Sequence, residues 1–207
     1  MLEHLPQWLG ALLRNVRAGH AKLTIVQEDI VTNDAFIDLR SPAFTDGERL
    51  PERFTADGAG LSPPLFWGDI PDGTASLVLL VEDPDAPTPQ PLVHALVWAI
   101  PPTEDQLPEG TITHDGDGVG GRDVGRNSYL VEGWLPPDPP NGHGSHDYVF
   151  QLFALSQTPE LGRNPGRSEV VRAMTGHVLA AGMLVGTYSR GEARPLPTGS
   201  RAAIPAR

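Results

Sequence analysis

Residues 76–100 read SLVLLVEDPDAPTPQPLVHALVWAI. Two continuous apolar runs, 76–81 and 93–100, flank a segment with prolines at 84, 87, 89 and 91. Runs of six to eight apolar residues bounded by breakers read as buried strands. Proline donates no ladder hydrogen bond, so the segment between them is a loop that closes two neighbouring strands. Outward from this pair, Leu23-Thr24-Ile25-Val26, Phe36-Ile37-Asp38-Leu39, Tyr148–Leu155 and Leu184–Tyr188 read as further strands. Proline clusters at 62–64, 101–102 and 136–140 mark strand ends. A helix is predicted from an N-cap near Ser168, with Val170, Val171, Met174 and Val178 on one face. The body is mainly antiparallel β, with a C-terminal helix, long loops and no internal repeat.

Leu2, Leu5, Leu9, Leu12, Leu13 and Val16 recur at helical spacing, which predicts an amphipathic helix over residues 3–17 ending near Gly19. With only Arg14, Arg17 and Lys22 nearby, it lacks the basic face of a membrane-surface helix. Its leucine face is expected to pack on its own domain or on a second subunit, which leaves a homodimer open. The chain divides into a helical extension over 1–19, a body over 20–192 and a flexible Pro, Ala and Arg-rich tail over 193–207.

The 207 residues suffice for one domain with a core of its own. Twenty-six acidic against 15 basic residues give a net charge of -11, which repels nucleic acid. A site for an anion must therefore make its own positive potential. No cysteine is present, which excludes disulfides, thiol catalysis and thiolate metal sites. No apolar run reaches the length of a membrane span. The N-terminal leucines are interrupted by Glu3, His4, Gln7 and Arg14, unlike a signal peptide, so the cytoplasm is the expected location.

Gly116-Asp117-Gly118-Val119-Gly120-Gly121 matches G-x-G-x-x-G, but neither an apolar strand nor a periodic helix flanks it. It reads as a surface loop, not a dinucleotide site. Gly142-His143-Gly144-Ser145-His146 brings serine and histidine together without the nucleophile-elbow pattern, and no third ligand makes it a metal site. The more unusual feature is Glu82-Asp83-Pro84-Asp85-Ala86-Pro87, two carboxylates locked in a proline turn at a strand end, with His94 inside the next apolar run. Together they suggest a carboxylate that orients an imidazole.

Read in order, Ser62-Pro63-Pro64-Leu65 with Trp67, Asp83-Pro84-Asp85-Ala86-Pro87, His94, Pro137-Asp138-Pro139-Pro140-Asn141-Gly142, His146-Asp147-Tyr148 and His177-Val178-Leu179-Ala180 resemble the phosphatidylethanolamine-binding protein family, in its bacterial Raf-kinase-inhibitor-like branch. The resemblance spans roughly residues 36–190. It implies a large central antiparallel sheet, a smaller second sheet, a few peripheral helices and a small preformed anion pocket at one sheet end. The positions carried over to that pocket are Asp83, Asp85, His94, His146 and Tyr148. Two imidazoles and a phenol can donate to an anion's oxygens, while the aspartates are expected behind them, orienting His94 and favouring its protonated form. Two departures stand out. Gly133-Trp134-Leu135-Pro136-Pro137 replaces the family's Gly-Tyr-Gly-Gly-Pro, which predicts a reshaped pocket rim. Asp147 replaces an arginine, which predicts weaker affinity for anionic head groups.

The expected function is binding, without turnover, of a small phosphorylated or carboxylated ligand. No catalytic residue, metal or cofactor is assigned. The alternatives are an inhibitor or regulator of a protein kinase or protease, and a hydrolase using His94 or His146.

Overall fold

The computed structural model describes residue 13 and residues 15–30, 35–113 and 122–190. Its strands are β1 (Asp38–Arg40), β2 (Leu65–Gly68), β3 (Ser76–Asp83), β4 (Leu92–Ile100), β5 (Gln106–Leu107), β6 (Asp123–Val124), β7 (His146–Leu155) and β8 (Val178–Tyr188), with one α-helix, α1 (Arg167–Met174). A five-stranded sheet runs in the order β6-β4-β3-β7-β8, and a three-stranded sheet in the order β1-β2-β5. All named strand pairs are antiparallel. This is the mainly β fold with a large and a small sheet that the sequence implied. Among the described residues no helix is long and apolar enough to cross a membrane.

β3 sits at the centre of the large sheet, and every one of its residues is buried. Its odd-numbered side chains Leu77, Leu79 and Val81 face the small sheet, packing in one core with Leu39, Leu65, Trp67, Phe150 and Leu184. Its even-numbered Val78 and Leu80 join a second core, with Ile30 and with Val170 and Met174 of α1. Two covered faces explain why the run is continuously apolar instead of alternating.

One irregularity matters for the site. Val81 pairs with Ala95, but Glu82 pairs with Val93, so His94 is an extra residue in β4. Such a bulge bends the strand and re-aims a side chain.

Several expectations shift. Residues 23–26 were predicted as a strand, yet Thr24–Val26 is a single 3-10 turn. Its amides have side-chain partners instead of a ladder: Thr24 N donates to Glu82 Oε2 at 2.9 Å and Ile25 N to Gln151 Oε1 at 2.8 Å. α1 is capped at Gly166, whose amide donates to Glu169 Oε2 at 2.7 Å, not at Ser168. It ends at Met174, because Val178 already opens β8. The short strands β2, β5 and β6 were not anticipated, since two to four residues carry too little periodicity to read. Most of the predicted N-terminal helix, the glycine loop at 116–121 and the tail over 193–207 lie outside the described residues. Of the segment before Gly19, residues 16–18 are irregular.

Candidate functional site

The C-terminal end of β3 and the first residues of β4 and β7 meet at one end of the large sheet. There Asp83, His94, His146 and Tyr148 line a cavity of about 220 Å3. The loops over 84–91 and 129–140 complete its walls, largely with proline and aliphatic side chains. Four of the five residues carried over from the resemblance therefore share one cavity. The fifth, Asp85, is not among its lining residues.

Asp83 is held by its own turn: Oδ1 accepts the amides of Asp85 at 2.8 Å and Ala86 at 3.0 Å. This side-chain mimicry of a turn suits the position. Its other oxygen meets His146 Nδ1 at 2.7 Å, not His94. His94 takes its orientation from Leu135 instead, with Nδ1 donating to the Leu135 carbonyl at 2.6 Å while the Leu135 amide donates to His94 O at 2.7 Å. The expectation that Asp83 orients His94 is thus corrected. The bulge presents His94 to the 134–136 loop, beyond reach of a direct Asp83 bond. Leu135, the departure from the family's glycine, supplies the backbone that fixes the imidazole.

Because Nδ1 of His94 donates to a carbonyl, its Nε2 bears the lone pair in the neutral ring. That nitrogen is buried and has no hydrogen-bond partner among the described residues. Burial holds the His94 pKa below the ordinary 6.5, although the Asp83 charge and the Leu135 carbonyl oppose the shift. The Tyr148 ring meets His94 edge-on, with centroids 5.0 Å apart. Burial, reinforced by the Asp83 charge, pushes its hydroxyl well above the ordinary value of 10, so Tyr148 stays a neutral phenol.

His146 and His143 do not chelate a metal with their facing nitrogens, which contact each other: His143 Nδ1 lies 2.7 Å from His146 Nε2. His143 Nε2 then donates to the Leu13 carbonyl at 2.8 Å. The result is a buried relay from Asp83 through two imidazoles to the N-terminal segment. With both its nitrogens committed, His146 has none left to activate Ser145, which is exposed. Asp85 pairs with Arg17 and accepts the Asp147 amide at 2.7 Å. Asp147 itself meets His20 Nε2 at 3.0 Å and is not among the cavity's lining residues.

Sequence reasoning missed three parts of the site. Arg190 is bidentate on Asp57 at 2.6 and 2.8 Å and also pairs with Asp138 of the P-D-P-P block, a cavity residue. It ties the loops on either side of the opening. Its only trace in the sequence is an arginine after the last strand. Tyr129 lines the cavity and stands in no pattern that singles it out, whereas His143, weighed in the sequence only as a nucleophile partner or metal ligand, works as the relay.

Comparisons with known proteins agree with the fold. Residues 40–189 match the family model described as phosphatidylethanolamine-binding protein. A UPF0098 protein of Methanothermobacter thermautotrophicus is 37% identical over 159 residues, covering 75% of this chain and 100% of the relative. One from Aquifex aeolicus is 39% identical over 158 residues, covering 75% and 90%. Among solved structures, a protein described as a phosphatidylethanolamine-binding protein homologue from Chlamydia trachomatis superposes with a TM-score of 0.68 at 32% identity, covering 76% of this chain and 99% of the other. YbcL of E. coli, described as a member of the mammalian PEBP family, gives 0.70 at 29% identity, covering 75% and 99%.

Proposed function

The chain belongs to the phosphatidylethanolamine-binding protein family, and from that premise we propose that it binds, without turning over, a small ligand bearing a phosphate or carboxylate group in the cavity at the end of the large sheet. One observation carries the reading: His94 Nε2 is buried at a preformed cavity and lacks a partner among the described residues. A buried polar atom without a partner is costly, and a ligand oxygen can satisfy it. Tyr148 offers a hydroxyl on the same wall. Rigid prolines around the opening lower the ordering cost of binding. The commitment of both His146 nitrogens weighs against a hydrolase.

The pH dependence follows from the geometry. In the free protein His94 is neutral and Nε2 can only accept. An anion needs a donor there, so binding puts a proton on Nε2, and affinity falls as pH rises through the pKa of the complex. Titration calorimetry with inorganic phosphate, phosphoethanolamine and acetate at about pH 6 and pH 8 tests this. His94→Gln, which cannot take up the proton, is expected to abolish the pH dependence for acetate, whose own charge is constant over that range. Absence of heat with every probe, or wild-type affinities that do not change with pH, would overturn the reading.

A second reading, regulation of a kinase or protease partner at the same opening, has one observation in its favour. Tyr129, which lines the cavity, and the next two residues, Leu130 and Val131, form an apolar stretch and are 45%, 74% and 53% exposed. The Asn127 side chain holds that stretch in place, accepting the amides of Tyr129 and Val131.

A further inference from the structure

We propose that Leu13 and residues 15–20 act as a strap that cancels the charge of both aspartates in the D-P-D-A-P turn, Asp83 through the His143–His146 relay and Asp85 through Arg17, and so opens the cavity of an acidic protein to an anion. The proposal deepens the binding reading and rests on it. The family match begins at residue 40, so the strap lies outside the matched region.

The argument is a count of protons. The Leu13 carbonyl only accepts, so His143 Nε2 must carry a proton. The contact between Asp83 Oδ2 and His146 Nδ1 holds a second. The contact between His143 Nδ1 and His146 Nε2 requires a third, since two bare lone pairs at 2.7 Å repel. Two neutral imidazoles supply only two protons. The Asp83–His146–His143 unit therefore holds one extra proton, and its net charge is zero wherever that proton sits. Burial, together with the charge of His146, holds the His143 pKa below its ordinary value. Without the Leu13 and Val16 backbone contacts to His143, two protons would satisfy both remaining contacts. The unit would then revert to a net charge of -1, beside the ligand. The strap is what demands the third proton.

Its second half acts directly. Arg17 pairs with Asp85, and its Nη1 also donates to the Ser145 carbonyl at 3.2 Å. The Ala18 and Gly19 amides donate to the carbonyls of Ala86 at 3.0 Å and Pro84 at 2.8 Å, stitching the strap to the turn. Gly144 has φ +103, a backbone conformation that side-chain-bearing residues rarely adopt, so glycine suits the turn beside Arg17. The ionisable groups facing the relay are Arg17 from the strap, Asp85 from the turn, His94 from β4 and Tyr148 from β7.

Two measurements on the full chain test the proposal. NMR of the ligand-free protein near pH 7 should find either three of the four ring nitrogens of His143 and His146 protonated, or two of them with the Asp83 carboxyl protonated; two protonated nitrogens beside an ionised Asp83 overturn the relay. Calorimetry with inorganic phosphate and with acetate reads the second arm. Arg17 is partly exposed, so Arg17→Gln should fold, which circular dichroism checks. It should lose about three- to tenfold in affinity for both probes, the effect of one partly screened charge several ångströms away. Arg17→Lys should recover most of that loss. Unchanged affinity in Arg17→Gln overturns the strap alone. A wild-type protein that binds neither probe overturns the binding reading, and with it the strap's role in binding.

Discussion

His94 couples the site to pH in two opposite ways. With ligand, protonation favours the complex. Without ligand, burial keeps the imidazole neutral, whereas the unfolded chain protonates it below about its ordinary 6.5. The unfolded state then binds more protons, so His94 costs stability as pH falls through 6.5 and the cost vanishes as pH rises above it. In phosphate-free buffer, wild type should therefore lose stability relative to His94→Gln between about pH 8 and pH 5.5. Urea denaturation of both proteins at the two pH values measures this, and a gap that stays constant or moves in favour of wild type refutes it. His94 was visible in the sequence as a lone imidazole in an apolar run. Its hydrogen-bond partner was not, because a backbone carbonyl 41 residues away has no residue type to betray it.

Among elements, the segment over 20–26 and helix α1 are joined to the sheet through one buried group. Glu82 is fully buried on β3, on the face opposite Asp83. Its Oε2 accepts the Thr24 amide at 2.9 Å and Gln151 Nε2 at 2.8 Å, while Oε1 pairs with Arg167 at the start of α1. Arg167 also donates to the Lys22 carbonyl at 3.0 Å and Thr24 Oγ1 at 3.1 Å. Arg167→Ala strips the cation from a buried carboxylate and should cost roughly 2–4 kcal/mol, read from the shift in denaturant midpoint. A change under about 0.5 kcal/mol, the size of an ordinary surface substitution, would mean that Glu82 is satisfied without it. Apolar content made residues 23–26 look like a strand. The buried carboxylate beneath their amides made them a turn; strand alternation turns Glu82 and Asp83 to opposite faces, but E-D-P-D gave no sign of which partners each would meet.

Across the molecule, the small sheet, the large sheet and the layer of α1 with the N-terminal segment stack so that β3 is covered on both faces. Antiparallel sheets commonly leave one face to water, and then only alternate positions matter. Here both parities do. Leu79→Ala and Leu80→Ala face different cores, and each should cost about 2–5 kcal/mol in chemical denaturation. A loss under about 1 kcal/mol at either position would mean that its face is not a close-packed core.

By itself the sequence determined what depends on near neighbours. Continuous apolar runs identified β3, β4, most of β7 and the last five residues of β8 as strands, and in β3 burial on two faces leaves no polar alternation. Prolines put loops between them, because they lack the amide a ladder needs. The ordered blocks around Asp83, His94, His146 and Tyr148 identified the family, and with it the two-sheet fold. Only the tertiary structure decided how those residues are wired. Asp83 meets His146 across 63 positions, and Arg190 meets Asp57 across 133. His94 turns to Leu135 because a bulge in β4 adds one residue to the register. Such pairings depend on where packing brings distant segments together, and distance along the chain leaves no period or motif to record it.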